Sequence, residues 1–391
     1  MPDINSQTLI KLTQKLVQLP SEAGREKQVA GLLVKEMRGF GYEEVTVDNN
    51  GSVVGVINGA QPGPTLLFDG HMDTVGVAPG VPWRHDPFGG EIIEGRLYGR
   101  GATDMKGPIA AMIVAVATVA KGQLAGRVVV SASVMEEVLE GVALKAVMDK
   151  QHPDYVVICE PSNLRLIHGG RGRAEIHLET IGRPAHSSSP QEGVNAILAM
   201  IPAISAIDEL PLPTHEIVGH GIMALTDIIS EPYPGHSVIP SRCRVTYDRR
   251  LMPGETRESV LESLANLPTV EGATLTPTIA RGEYQAYTGK RLVTEKWFPA
   301  WLFEQSHEFV RKAARGLESV GLPVTYGTYN FCTNAAYSAG QAGVPTIGFG
   351  PSPESLAHVV DEYVEVEQLV KTARAYQGII EAVLGAWAAL H

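Results

Sequence analysis

Five short segments of this chain carry histidine and carboxylate side chains at positions where an apolar run gives way to a polar one. Read separately, each has an ordinary explanation: a surface histidine–aspartate pair, a helix N-cap or the solvated start of a helix. Read together, they gather imidazoles and carboxylates that repel one another and are costly to bury unless a cation is near. Such oxygen and nitrogen donors suit two Zn²⁺ ions, with Co²⁺ or Mn²⁺ as alternatives. The segments are GHMDTV (His71, Asp73), YGRGATDMKG (Asp104), SVMEEVLEG (Glu136, Glu137), ICEPSN (Glu160) and LAHVVDE (His358).

Other kinds of site are disfavoured by the same sequence. The glycines around Arg100 lack the third spaced glycine and the Lys-Ser/Thr pair of a phosphate-binding loop. The three cysteines, Cys159, Cys243 and Cys332, have no C-x-x-C spacing and are too few for a disulfide framework. The metal ligands are therefore expected to be histidines and carboxylates in a reduced protein.

The composition and net charge of the chain exclude some classes of binding partner. The chain has 391 residues, 44% hydrophobic and 19% charged, which indicates a globular protein of about two domains. A net charge of −11 without a Lys/Arg-rich run argues against nucleic acid or an anionic membrane as the main partner. The longest apolar run, 108–120, is too short for a membrane span, and the N-terminus lacks the apolar core of a signal peptide. We expect a cytoplasmic protein that acts on a small molecule.

The elements that must position these side chains alternate between buried strands and helices. This alternation predicts an α/β fold with a doubly wound sheet, in which ligands bind beyond the carboxyl ends of the strands. After the Gly-rich stretch at 169–172 the pattern changes to strands with period two and a β-α-β-β-α-β order. We predict a catalytic domain of residues 1–171 and 293–391, interrupted by a smaller α+β, ferredoxin-like domain of residues 172–292.

The five segments and their order resemble those of the acetylornithine deacetylase / succinyl-diaminopimelate desuccinylase family. This co-catalytic zinc family also contains aminoacylases, glutamate carboxypeptidases and dipeptidases, and the resemblance covers essentially the whole chain. The stretches SRCRVTYDRRLMPGET and TIGFGPSPESLAHVVDE look most like its selenium-metabolism-linked hydrolases. The resemblance implies a zinc-exopeptidase-like catalytic domain with a mixed central sheet and an inserted domain that serves as lid and dimer interface.

The resemblance also implies a role for each residue of the five segments. It makes Glu136 the general acid/base and Asp73 the partner that orients His71, and it implies a cis peptide bond after the bridging aspartate. The implied metal ligands are His71 and Glu160 for one ion, Glu137 and His358 for the other, and Asp104 between them.

Further residues are implied for the substrate. His186, in GRPAHSSSP, matches a lid histidine that stabilises the oxyanion from the partner subunit; without the resemblance, a turn histidine capped by serines is equally expected. Arg250 suits a bidentate grip on a carboxylate, although a cross-strand ion pair explains it equally well. His236 stands where relatives often have an asparagine that contacts substrate. Asn334 and Gly350 lie in loops that line the cleft in relatives.

The sequence thus predicts a di-zinc hydrolase that cleaves the amide bond of an N-acyl amino acid or a small peptide with a free carboxylate, working as a homodimer. A dipeptidase or carboxypeptidase and an N-carbamoyl-amino-acid hydrolase remain alternatives, because the scissile bond is the same. A metal- or ligand-binding protein without activity is a remote alternative, since it predicts the loss of a ligand or of Glu136, and all of them are present.

Overall fold

The computed structural model describes residues 3–385, which form helices on both sides of a large sheet and a second, smaller sheet. The helices are α1 (Ser6–Val17), α2 (Lys27–Gly39), α3 (Gly107–Ala117), α4 (Val142–Gln151), α5 (Ala196–Asp208), α6 (Arg257–Ala265), α7 (Glu308–Ser319) and α8 (Val366–Leu384). The strands are β1 (Glu44–Val47), β2 (Val53–Asn58), β3 (Gln61–His71), β4 (Ile92–Ile93), β5 (Arg96–Tyr98), β6 (Ala125–Ser133), β7 (Tyr155–Ile158), β8 (Leu166–Gly170), β9 (Gly172–Ile181), β10 (Thr214–His215), β11 (Gly219–His220), β12 (Ile222–Glu231), β13 (Arg242–Leu251), β14 (Thr274–Ile279), β15 (Arg281–Gln285), β16 (Arg291–Glu295), β17 (Trp297–Phe298), β18 (Trp301–Leu302), β19 (Tyr326–Tyr329), β20 (Thr346–Gly348) and β21 (Tyr363–Glu365).

The large sheet is mixed, as expected. Its strand order is β1-β2-β6-β3-β7-β20-β8-β18, with β19 beside β8. The central strands β6, β3, β7 and β20 run parallel, whereas β1, β2 and β18 run antiparallel to their neighbours. The parallel strands are continuous apolar runs because helices cover both of their faces.

The register of the parallel strands determines which loops meet. His71, the last residue of β3, lies opposite Ser133, the last residue of β6, and Asp69 lies opposite Ile158 at the end of β7. The segments that follow these three strands therefore leave the sheet at one edge, as the sequence predicts for parallel strands.

Helix α3 explains the longest apolar run of the sequence. It is apolar all round and its residues from Gly107 to Val116 are buried, so it is a core helix. It ends at Ala117, and the hydroxyl of the following residue, Thr118, donates to the carbonyl oxygens of Val114 and Ala115. Among residues 3–385 no helix combines the length and apolarity needed to cross a lipid bilayer.

The second sheet has the order β12-β13-β9-β14, with β17 also beside β9. Strand β9 alternates between buried and half-exposed residues along most of its length, because one face packs on α5 in a separate apolar core, to which α6 contributes through its packing on β14. Helix α5 begins at Ala196, since the Asn195 side chain accepts from the N–H groups of Ile197 and Leu198. The β-α-β-β-α-β order is the one expected for the insertion.

Candidate metal centre

Three carboxylates surround the imidazole of His71 at the end of β3. Its Nε2 lies 3.0 Å from Asp104 Oδ1, 3.3 Å from Glu160 Oε1 and 3.9 Å from Glu136 Oε2. All four side chains are more than nine-tenths buried. The ring's Nδ1 is 2.9 Å from the backbone carbonyl oxygen of Asp73, so a proton on Nδ1 donates there and leaves Nε2 free as a ligand.

A second imidazole lies on the other side of Asp104. Nε2 of His358 is 3.1 Å from Asp104 Oδ2 and 3.1 Å from Glu137 Oε2. The two oxygens of Asp104 thus face two different histidines. His358 is half-exposed, so this side of the cluster is open to solvent. Asp104 is not a helix N-cap, because α3 begins three residues later and Lys106 holds the N-cap position.

The chemistry of this cluster fits divalent cations. Two triplets, His71 with Asp104 and Glu137, and His71 with Glu136 and Glu160, have donor atoms close enough to share an ion. Within the described chain, Glu136 Oε1 and Glu160 Oε2 are buried without a hydrogen-bond partner. Burial, reinforced by the charge of Asp104, raises the pKa of Glu160 to about 7. Buried carboxylates in this state need a positive charge, which a cation supplies.

Two buried carboxylates fix the backbone that carries Glu136 and Glu137. The carboxylate of Asp73 accepts from the N–H groups of Glu136 and Glu137, at 3.1 Å each. Glu26 accepts from the N–H group of Met135 at 3.3 Å. Asp73 therefore orients the Glu136–Glu137 pair more directly than it orients His71, whose Nδ1 is 3.6 Å from the nearer carboxylate oxygen.

The segment that presents Asp104 is held by Glu362. Oε1 of this carboxylate accepts from the N–H groups of Thr103 and Asp104, at 2.9 and 3.0 Å. Its Oε2 lies 2.6 Å from a guanidinium nitrogen of Arg100, and both side chains are buried. The peptide bond between Asp104 and Met105 is cis, as the resemblance implies.

The cluster lines a cleft of about 430 Å³. Beyond the cluster, four further charged side chains line this cleft: Glu140, Arg173, Arg250 and Glu354. Nε of Arg250 is 2.9 Å from Asp248, two residues earlier on the same strand β13, so Arg250 lines the cleft and its ion pair lies within one strand, not across two strands as the alternative explanation had it.

The other predicted substrate residues do not line this cleft. The side chain of Asn334 is buried and donates to Asp69 and Ser133 while accepting from the N–H group of Gly141. Gly350 packs so closely on the backbone after β7 that a Cβ would lie 2.3 Å from the carbonyl oxygen of Glu160. Asn334 thus contacts the ends of β3 and β6, and Gly350 contacts the segment after β7.

His186 and His236 lie in two neighbouring segments, and neither lines the cleft of its own chain. Residues 185–187 pair with residues 237–239 through backbone hydrogen bonds, which brings the segments carrying His186 and His236 side by side. Nδ1 of His186 accepts from the N–H group of Ser188, as expected of a turn histidine followed by serines.

Sequence reasoning missed four residues that complete the centre: Glu26, Glu140, Arg173 and Glu362. Two of them had a usable sequence pattern. Glu140 follows Glu137 by three residues, and Glu362 follows His358 by four. Glu26 and Arg173 stand in no motif, and only the tertiary structure brings them to the cleft or to the backbone beneath it.

Comparison with known proteins gives relatives over nearly the whole chain. The uncharacterized protein YgeY of Escherichia coli K12 is 31% identical over 379 residues, covering 95% of this chain and 93% of its own. Succinyl-diaminopimelate desuccinylase 2 of a Ruegeria species is 25% identical and covers 96% of this chain and 95% of its own. Acetylornithine deacetylase of Proteus mirabilis is 29% identical and covers 81% and 79%.

Solved structures share the fold. Aminopeptidase PepT of Bacillus cereus matches with a TM-score of 0.73 and 21% identity, over 97% of this chain and 99% of its own. YXEP of Bacillus subtilis, described as a dinuclear metal binding peptidase, matches with a TM-score of 0.70 and 14% identity, over 97% and 98%. The model of peptidase family M20/M25/M40 matches residues 67–382, which include every residue of the histidine–carboxylate cluster. The chain therefore belongs to peptidase family M20/M25/M40, a family of metal-dependent hydrolases.

Proposed function

We propose that this protein hydrolyses the amide bond of an N-acyl amino acid or a small peptide with a free carboxylate, with two metal ions bound in the cleft. The observation that carries the proposal is the position of Asp104, whose two oxygens lie 3.0 and 3.1 Å from two different imidazoles. A carboxylate in this arrangement suits a bridge between two cations. The names of the relatives, which include deacylases and peptidases, support an amide as the bond that is cleaved.

The proposed ligands divide into two groups around Asp104. His71 and Glu160 hold one ion, and Glu137 and His358 hold the other, which agrees with the distances among their donor atoms. Zn²⁺ suits this set of imidazole and carboxylate ligands, and Co²⁺ or Mn²⁺ can replace it. Bound divalent ions supply a water of lowered pKa and polarise the scissile carbonyl.

Glu136 is the proposed general acid/base. Its Oε1 is buried, has no hydrogen-bond partner within residues 3–385, and belongs to a side chain that lines the cleft. Burial, opposed by the charge of His71, raises the pKa of Glu136 well above its usual value. A carboxylate that holds a proton readily can take one from the attacking water and deliver it to the leaving nitrogen.

Arg250 is the proposed anchor for the substrate carboxylate. Its Nε is occupied by Asp248, and its two terminal nitrogens have no partner in the described part of the chain. Two adjacent guanidinium N–H groups facing the cleft can bind a carboxylate in a bidentate manner.

We further propose that residues 172–292 form a lid and that the molecule is a homodimer joined through this lid. Strand β12 ends the second sheet with an unpaired edge, and apolar side chains are exposed along it and on the neighbouring α5. These side chains are Leu198, Ile201, Ile222, Leu225, Ile228 and Ile229. An apolar edge strand of this kind associates with another chain unless it is covered. A second copy would also explain why His186 and His236 lie away from the cleft of their own chain.

The dimer is tested by sedimentation or light scattering. Ile228→Glu should give a monomer, because it introduces a charge on the exposed edge. Val293→Glu, at an equally exposed position on β16, is the control and should leave the molecular mass unchanged. An unchanged mass for Ile228→Glu, or a monomeric wild-type protein, would contradict the proposed interface.

The hydrolysis itself is tested with a panel of N-acetyl, N-succinyl and N-carbamoyl amino acids and dipeptides. Metal-stripped protein is assayed with and without added Zn²⁺, Co²⁺ or Mn²⁺. Metal-dependent release of amine from one class is expected, and it separates a deacylase from a peptidase. Glu136→Gln should retain both ions and lose about 10²- to 10⁴-fold in kcat. Full turnover by this variant would remove Glu136 from the mechanism.

A further inference from the structure

A chain of ion pairs runs along the cleft wall from Arg250 to Glu140. Asp248 lies between two arginines, with Oδ1 2.9 Å from Arg250 Nε and Oδ2 2.8 Å from Arg173 Nε. Arg173 in turn reaches Glu140, with Nη1 3.0 Å from Oε1. Arg173 lies in β9 of the second sheet and Glu140 lies three residues after Glu137, so the chain joins the second sheet to the metal centre.

Among the described residues of this chain of ion pairs, only Glu140 has a buried carboxylate oxygen without a hydrogen-bond partner. Its side chain is 7% exposed and lines the cleft, and its Oε2 has no hydrogen-bond partner there. A buried carboxylate oxygen is costly to leave without a donor. The donor has to come from the cleft, because Arg173 is already shared among Glu140, Asp248 and Glu175.

The charges of these ion pairs, which do not include Glu354, are balanced before a substrate binds. Three carboxylates face three cations, because Lys296 lies 2.6 Å from Glu175 and completes the set of Arg173 and Arg250. A substrate carboxylate held by Arg250 adds one negative charge to this balanced set. Two divalent ions in the metal centre would be matched by its four carboxylates, so that centre offers no spare negative charge for a substrate cation. A positive charge on the substrate restores the balance, and the free oxygen of Glu140 is positioned to receive it.

We propose that Glu140 Oε2 binds a protonated nitrogen of the substrate, so that the preferred substrates carry an ammonium group as well as a carboxylate. This inference rests on the proposed amide hydrolysis and narrows its substrate class. The ammonium group belongs either to a basic side chain of an N-acyl amino acid or to the free amino end of a short peptide. Both place the same group, N–H⁺, on the same oxygen.

Two matched substrate pairs separate these sources. Nα-acetyl-ornithine and Nα-acetyl-norleucine differ by an ammonium group in place of a methyl group on the side chain. Glycyl-leucine and propionyl-leucine differ in the same way on the acyl side. We expect the ammonium member of one pair to be preferred about tenfold or more in kcat/KM, as for a charge-assisted hydrogen bond in a buried site.

Glu140→Gln should reduce this preference to about twofold or less, because a neutral amide cannot balance the cation. The ratio within a pair is the readout, since a merely structural role of Glu140 would slow both members equally. Glu354→Gln is the matched control, because Glu354 also lines the cleft and also has a buried oxygen without a partner in the described chain. Glu140→Asp keeps a counter-charge for Arg173 but shortens the side chain by one methylene group, so its second oxygen no longer reaches the ammonium group. It should also reduce the preference, and it serves if Glu140→Gln does not fold.

Binding of the same pairs is measured by calorimetry with metal-loaded Glu136→Gln, so that the inference does not depend on turnover. A binding preference that Glu140→Gln removes supports the proposal even if the wild type hydrolyses neither pair, a result that would instead count against the proposed function. Equal binding and equal kcat/KM within both pairs would overturn the proposal. So would a preference that survives Glu140→Gln or Glu140→Asp undiminished, or one that is lost in Glu354→Gln instead.

Discussion

Glu362 offers the sharpest test of how the metal centre is held. Its two oxygens make three contacts: the N–H groups of Thr103 and Asp104 at 2.9 and 3.0 Å, and the guanidinium of Arg100 at 2.6 Å. Glutamine has a single carbonyl oxygen, so in Glu362→Gln this oxygen faces either the backbone N–H groups or Arg100, and the amide N–H₂ group faces the other partner. The variant therefore removes a charge without removing volume.

Two effects of known size follow from these contacts. Arg100 has a 5% exposed side chain, and breaking a buried ion pair on one side costs about 3–5 kcal/mol of the free energy of unfolding. The weakened support of Asp104 should lower metal affinity about 10- to 100-fold, as for other groups that orient a metal ligand. Metal affinity is measured by competition with a chromophoric chelator, and stability by urea denaturation.

Two further variants separate the loss of stability from the loss of metal affinity. Asp361→Asn changes the neighbouring carboxylate, which accepts from the N–H groups of Arg84 and His85 on a surface loop, and should alter metal affinity less than about twofold. Adding Arg100→Met to Glu362→Gln should recover stability but not metal affinity, because the unpaired charge is removed while the support of Asp104 is not restored. Metal binding by Glu362→Gln within about twofold of the wild type would refute the reasoning.

Three other predictions each concern a single residue. Asp104→Ala should lose bound metal and not only rate, and metal at full stoichiometry by emission spectroscopy would contradict the bridging role. His186→Ala should slow hydrolysis, and mixed dimers with Glu136→Gln subunits should regain activity; no recovery in verified mixed dimers would argue against a histidine donated by the partner. Burial and the charge of Asp73 raise the pKa of Glu26 from 4.5 to about 7, so the folded chain binds this proton more tightly than the unfolded chain. Glu26 should therefore contribute a fall of about 3 kcal/mol in the free energy of unfolding as pH rises from about 4.5 to above 7, and Glu26→Gln should lose this contribution in chelator-treated protein; an equal pH slope in both proteins would contradict it.

The clustering of the five segments could be predicted because parallel strands bring their ends to one edge. His71, Glu136 and Glu160 each follow an apolar run by a few residues, so a sheet built from those runs necessarily gathers them. The strictly alternating pattern of β9 likewise predicts a second sheet, although it does not identify the strands that pair with β9.

Contacts that depend on side-chain direction could not be predicted in this way. The sequence predicts that Asn334 lies in a loop lining the cleft. Its side-chain amide is instead buried, because Asp69 and the N–H group of Gly141 are its hydrogen-bond partners. Glu26 comes from the turn before α2 and reaches Met135 only through the packing of the N-terminal helices. Periodicity gives the face of an element but not the rotamer of one side chain or the path of a loop.

The position of β20 in the large sheet has a consequence for the order in which the chain folds as it is synthesised. This strand, Thr346–Gly348, lies between β7 and β8, which are made nearly two hundred residues earlier. The large sheet cannot close until nearly the whole chain has left the ribosome, whereas the second sheet is drawn from the single stretch 172–298 and is free to fold first. His358 follows β20 by ten residues, so a truncated chain lacks the ligand proposed to complete the second metal position. Occupancy of both positions would then distinguish finished molecules from incomplete ones.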